Sequence, residues 1–143
     1  MSIQSILGRK GAEVVTIRAT DTVRSAADRI RERGIAALVV KTGDAIAGLI
    51  SEREIVHAVS RHGEEALSMP VRDVASLAAI TVAPGDSVKR AMTLMKYHRV
   101  GHLPVIANGK LVGIVSMGDV AKHRLDDLET ESNVLRDAYL AAR

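Results

Sequence analysis

The sequence predicts an α+β protein made of two β-α-β-β-α repeats, and three observations carry that prediction. Sliding the chain by 65 residues aligns its halves without a gap from Thr16/Thr81 to Val59/Arg124. The pairs Asp21/Asp86, Val23/Val88, Ala26/Ala91, Leu38/Leu103, Val40/Val105, Gly48/Gly113 and Ser51/Ser116 are identical across that offset. Within each half, continuous apolar runs suited to buried strands alternate with apolar stripes at helical spacing. Asn108-Gly109, the strongest two-residue hairpin signal, joins two such runs in the second half. A duplication of this kind implies two similar units that share a core across a pseudo-twofold axis and enclose two equivalent clefts.

Taken in order, residues 1–13 are a lead-in, with Ile3, Ile6 and Leu7 at helical spacing and glycines at 8 and 11 to end a helix. The first repeat, 14–62, opens with a short strand at 14–17. Asp21 and Thr22 are a cap signal before the stripe Val23, Ala26, Ala27 and Ile30, which finishes near Gly34. Residues 35–40 read as a strand buried on both faces, 42–44 as a turn and 46–50 as the returning strand. From Ser51 a helix carries Ile55, Val56 and Val59 inward and ends by Gly63. Residues 63–78 form a linker that contains Pro70 and one helical turn within 71–77. The second repeat, 79–124, has a strand at 80–82, a Ser87 cap, a stripe of Val88, Ala91, Met92 and Met95, and strands at 103–106 and 111–115. Residues 125–143 extend the last helix with Leu125, Leu128, Leu135 and Tyr139 on a narrow stripe. That stripe covers either the chain's own body or a second copy.

Composition limits the function. The 143 residues are 47% hydrophobic and 26% charged, which suits one soluble globular protein with a real core. That core is aliphatic, because Phe and Trp are absent and the aromatics are Tyr97 and Tyr139. Single-strand nucleic-acid binding loses the stacking platforms it needs. A net charge of +3 with no long basic run is a solvated surface rather than a duplex-binding stripe. Zero cysteines remove disulfides, thiolate metal sites and thiol nucleophiles. His98 and His102 lie four apart, but a helix end and a strand start separate them, so no metal pair is expected. No nucleophile elbow or glycine-rich phosphate loop is present, so no enzyme is expected. No signal-peptide core or membrane span is legible, and a cytoplasmic location is expected.

The chemistry concentrates at one corner that occurs twice. IAGLISERE at 46–54 and LVGIVSMGD at 111–119 both read as apolar run, Gly, two apolar residues, Ser, two spacers and an acid. A buried strand thus ends at a serine that caps a helix with a carboxylate in its first turn. Phosphate suits the helix N-terminus and a sugar diol suits the acid. The same pattern is also the capping box, which satisfies helix-end donors and binds nothing, and Glu54 fits that reading better than Asp119. Arg53, Arg99, His102 and Lys122 are cations near these corners, and Gly118 leaves room at the helix N–H groups.

These two corners, the strand GHLPVI at 101–106 and the element order resemble a tandem pair of CBS domains, the modules called after cystathionine β-synthase. The resemblance spans about residues 14–124 and extends to short stand-alone bacterial proteins with a terminal helix. It implies a pseudo-twofold CBS-domain pair that binds AMP, ADP, ATP, NAD or S-adenosylmethionine in the clefts between repeats. The ligand would be regulatory rather than a catalytic cofactor, and two pairs would join as a homodimer that signals to an effector protein. By that resemblance Asp119 and Glu54 take ribose hydroxyls, and Ser116 and Ser51 face phosphate or ribose. Adenine lies against Val15 and Thr16 or Ile80 and Thr81, and the pocket is completed at Ala36 and Ala37 or at Gly101 and His102. Arg53, beside Ser51, is a candidate phosphate partner or else an ordinary surface cation, and Pro104 marks the second repeat where the first has Val39. The Asp119 corner is expected to bind before the Glu54 corner. Asp119→Ala is expected to leave the fold intact and weaken binding. The alternative is a constitutive dimeric scaffold without a small-molecule ligand.

Overall fold

The computed structural model describes residues 2–77 and 80–142. The expected boundary between linker and second repeat, at 78 and 79, lies outside the described residues. A helix α1 (Ile3–Lys10) precedes a first repeat of β1 (Thr16–Arg18), α2 (Val23–Arg33), β2 (Ala37–Thr42), β3 (Ala45–Ser51) and α3 (Glu52–His62). The second repeat contains α4 (Val88–His98), β4 (His102–Ala107), β5 (Lys110–Ser116) and α5 (Met117–Ala141). Helix α4 and strands β4 and β5 begin and end 65 residues after α2, β2 and β3, and α5 begins 65 after α3. Even the bulge between Val40 and Lys41 returns between Val105 and Ile106.

The helices start where hydroxyl caps were expected. Thr22 Oγ1 accepts from the Ser25 N–H at 3.2 Å, and Ser87 Oγ accepts from the Arg90 N–H at 3.0 Å. Both helices close on a left-handed residue at the same repeat position, Gly34 at φ 62° and Arg99 at φ 54°. Their inward faces are Val23, Ala26 and Ile30, and Val88, Ala91 and Met95. Met92 was expected among them but is exposed.

The chain divides into two compact units, Glu13–Thr81 and Met1–Ala12 with Val82–Arg143. Each unit therefore joins most of one repeat to the segment that leads into the other. In the first, β1 pairs parallel with β2 and β2 antiparallel with β3, over a core of Ile17, Ala26, Leu38, Val40, Ile50 and Val71. The expected linker is structured there: 3-10 turns form at Gly63–Ser68 and Val71–Asp73, and Ala66 is fully buried. Its continuation pairs with β3, where Leu49 and Ser76 exchange two backbone hydrogen bonds of 3.0 and 2.9 Å. In the second unit, α1 buries Ile3, Ile6 and Leu7 and packs on β5 and α5.

These lead-in segments explain the glycine shared by both corners. A Cβ on Gly48 would land on the Ser76 carbonyl oxygen, and one on Gly113 would sit 2.7 Å from Leu7 Cδ2. The glycine is bare so that the other repeat's lead-in can cross the strand.

Two expectations are corrected, and one left open is narrowed. The strand expected at 80–82 is reduced to a single bridge of Val82 to Val105. Two prolines account for this. In the first repeat, the Val39 N–H bonds the Val15 carbonyl and the Ala19 N–H bonds the Lys41 carbonyl. The residues 65 further on, Pro104 and Pro84, have no N–H to donate, so only Val82's own two bonds remain, at 3.0 and 2.8 Å. Helix α3 turns Ala58 inward, while Val56 and Val59 are 63% and 44% exposed rather than buried. Helix α5 buries Val120 and His123, whereas Leu125, Leu128, Leu135 and Tyr139 are all exposed and not buried by the described residues.

Candidate functional site

Register builds each corner. Ala37 pairs with Ser51 across β2 and β3, and the Glu52 N–H donates to the Ala36 carbonyl at 3.1 Å. The same geometry recurs where His102 pairs with Ser116 and the Met117 N–H donates to the Gly101 carbonyl at 2.8 Å. The structure thus gathers Ala36, Ala37, Ser51 and Glu54 in one unit, and Gly101, His102, Ser116 and Asp119 in the other. Thr16 pairs with Val39, two residues along β2 from Ala37, and its carbonyl accepts from Arg29 at 2.7 Å. Val15 follows through the bond of its carbonyl to the Val39 N–H at 3.1 Å. Arg53 is exposed in the first turn of α3, and Pro104 is buried within β4. Ile80 is half-buried and Thr81 exposed, at the end of the Glu13–Thr81 unit.

The two corners differ, and in the opposite sense to the expectation about capping. The capping box forms at Ser116: its Oγ accepts from the Asp119 N–H at 3.1 Å, and Asp119 Oδ2 accepts from the Ser116 N–H at 2.9 Å. At Ser51 no side-chain cap forms. Its hydroxyl instead donates to Glu54 Oε2 at 2.7 Å, because the longer acid reaches past the backbone to the serine side chain.

Asp119 has a further partner that sequence reasoning missed. Lys10, from α1, donates to Asp119 Oδ2 at 2.6 Å and to the Ile114 carbonyl at 2.9 Å. Both contacts to the carboxylate use Oδ2, and Oδ1 takes part in neither. Burial alone would push this carboxyl up, but the Lys10 ammonium and the donors of Ser116 hold it below the ordinary value of 3.8. The signal was present in the lead-in: Ile3, Ile6, Leu7 and Lys10 share one helical face, so burying the first three aims the lysine at the same surface.

Around this pair lies a small cavity of about 110 Å³ lined by Ile6, Arg9, Lys10, Asp119, Lys122, His123 and Asp126. Arg9 reaches Asp126 at 3.5 Å. Three cations, Arg9, Lys10 and Lys122, therefore border two carboxylates, Asp119 and Asp126, and this excess of positive charge suits a phosphorylated polyol. In the other unit a broad apolar groove of about 710 Å³ takes in Ala36 with Ala27, Ile30, Ile35, Ile55 and Val56, but not Ser51 or Glu54.

The CBS domain family model matches residues 9–61 and 71–126, and the chain belongs to that family. A CBS-domain protein of Burkholderia ambifaria, assigned to signal transduction, is 34% identical with a TM-score of 0.85, over 89% of this chain and 96% of that one. A mitochondrial CBS domain-containing protein of Arabidopsis thaliana is 38% identical over 107 residues, 71% of this chain and 52% of that protein. The match thus spans about half the length of the plant relative. A hexameric CBS-CP12 protein from bloom-forming cyanobacteria is 27% identical with a TM-score of 0.75, over 85% of this chain and 69% of that one. Among the described residues no helix is long and apolar enough to cross a membrane.

Proposed function

We propose that this chain is a regulatory module, not an enzyme, that binds an adenosine-containing ligand such as AMP, ADP, ATP or NAD at the Ser116–Asp119 corner. The observation that supports it is the ionised Asp119 carboxylate, with Lys10, Arg9 and Lys122 lining the cavity beside it. Asp119 Oδ1 accepts a ribose hydroxyl, and the cations neutralise phosphate. His102 and Gly101, at the start of β4, border the sugar. The Ser51–Glu54 corner, with Val15, Thr16, Ala36, Ala37 and Arg53, is a second and weaker site. Its longer acid folds back onto its own serine hydroxyl rather than onto the helix-end N–H.

Signalling requires the ligand to prefer one shape of the protein over another, since equal affinity shifts nothing. Self-association as a homodimer and an effector protein in the cytoplasm complete the reading; the hexameric relative supports self-association in this family.

The structure changes which variant tests this reading. Asp119→Ala would also remove a helix cap and the partner of Lys10, so it would lower stability as well as binding. Asp119→Asn keeps an oxygen for the Ser116 N–H and deletes the charge. Its loss of ligand-induced thermal stabilisation, with the unliganded protein still folded, is the expected outcome. A chain that no adenine nucleotide stabilises would instead be a constitutive scaffold.

A further inference from the structure

Among the described residues, none buries the second half of α5. Every described residue from 128 to 142 is exposed, although Leu128, Leu135 and Tyr139 are 44%, 65% and 68% exposed apolar groups. Their spacing is informative. Leu125, Leu128, Ser132, Leu135, Tyr139 and Ala142 alternate steps of three and four, the a and d positions of a heptad seam. Two leucines occupy d, and one polar residue, Ser132, occupies an a position, where a buried polar group fixes register.

We propose that this seam pairs with the same helix of a second copy as a parallel two-stranded coiled coil. The charges beside the seam select that occupant and that direction. With Leu125 at a, Arg124 and Glu131 fall at g, and Glu129 and Arg136 at e. In a parallel pair each g residue meets the e residue five positions further along the partner helix. Arg124 then faces Glu129 of the second copy, and Glu131 faces Arg136 of the second copy, so each charge meets its opposite. An antiparallel pair matches Glu129 with Arg136 but sets Glu131 against Ala138, which carries no charge. Val134 and Leu140 lie off the seam and do not enter the pairing. This deepens the self-association in the proposed function and is independent of any ligand.

The chain has no cysteine, so one introduced thiol reports on pairing without background. Tyr139→Cys places identical a positions side by side in the parallel pair, whereas an antiparallel pair sets residue 139 near residue 128. Thr130→Cys, at an outward f position, controls for random collision. The expected result, in the full-length protein at high micromolar concentration, is rapid covalent dimerisation of Tyr139→Cys on mild oxidation and little from Thr130→Cys. Equal cross-linking of the two variants, or cross-linking only in a mixture of Leu128→Cys and Tyr139→Cys chains, overturns the parallel seam. So does a dimeric wild type whose Tyr139→Cys variant stays uncoupled, an outcome that leaves self-association standing. A wild-type chain that sediments as a monomer at that concentration overturns both.

Discussion

At the scale of single residues, Asp119 is a structural and a chemical group at once. Its carboxylate holds the Ser116 N–H and the Lys10 ammonium, and these donors lower its pKa. A group whose folded pKa lies below its unfolded value stabilises the fold above the unfolded value and ceases to do so as pH falls through the folded one. The Asp119 contribution is therefore complete above about pH 3.8 and disappears below it. Asp119→Asn should cost about 1–2 kcal/mol at pH 7 and almost nothing at the lowest pH at which the chain remains folded, as read by urea titration. A stability gap that stays constant on acidification would remove the ionised carboxylate from this role. Lys10→Met should cost about 1 kcal/mol, since the pair is partly exposed. It should also weaken ATP binding more than adenosine binding, by calorimetry, because its ammonium neutralises phosphate. Equal losses for both ligands would place Lys10 in packing alone.

At the scale of elements, the corner glycines act through the lead-in segments that cross them. Gly48→Ala drives a Cβ into a backbone carbonyl that is itself paired with Leu49, so relief requires the Ser76 segment to move. A loss of about 3 kcal/mol or more is expected. Gly113→Ala meets only the end of the Leu7 side chain, which can turn aside, and about 1 kcal/mol is expected. Equal costs, measured by denaturant unfolding, would contradict the crossing of β3 by backbone. Most elements were legible in the sequence because their causes are local. Thr22 and Ser87 cap, Gly34 and Asn108-Gly109 turn, and Val23, Ala26 and Ile30 make one face whatever lies opposite. The shortened strand at Val82 was written in Pro84 and Pro104, but it shows only against the N–H bonds of Val39 and Ala19 in the other repeat. Periodicity identified the apolar stripes of α3 and α5 without saying what covers them, so Val56 and Val59 were assigned to an interior they do not reach, and the stripe of α5 stayed open between the chain's own body and a second copy.

For the whole molecule, the duplication was the decisive sequence feature, since one offset located two repeats, two corners and the matching strand registers. What the duplication could not convey is the asymmetry between corners. Lys10 lies 109 residues from Asp119, and no spacing rule links positions so distant. The folded chain brings them together because α1 packs with the second repeat rather than the first. On the proposed reading, that asymmetry favours the Asp119 corner over the Glu54 corner as the ligand site. The central claim is tested most directly by thermal unfolding of wild type and Asp119→Asn with and without AMP, ADP, ATP, NAD and S-adenosylmethionine. At about a hundred times its dissociation constant, one of these ligands should raise the wild-type midpoint by roughly 5–10 °C and the Asp119→Asn midpoint by far less. No rise with any of them, or the same rise in both proteins, would contradict an adenosine site at Asp119.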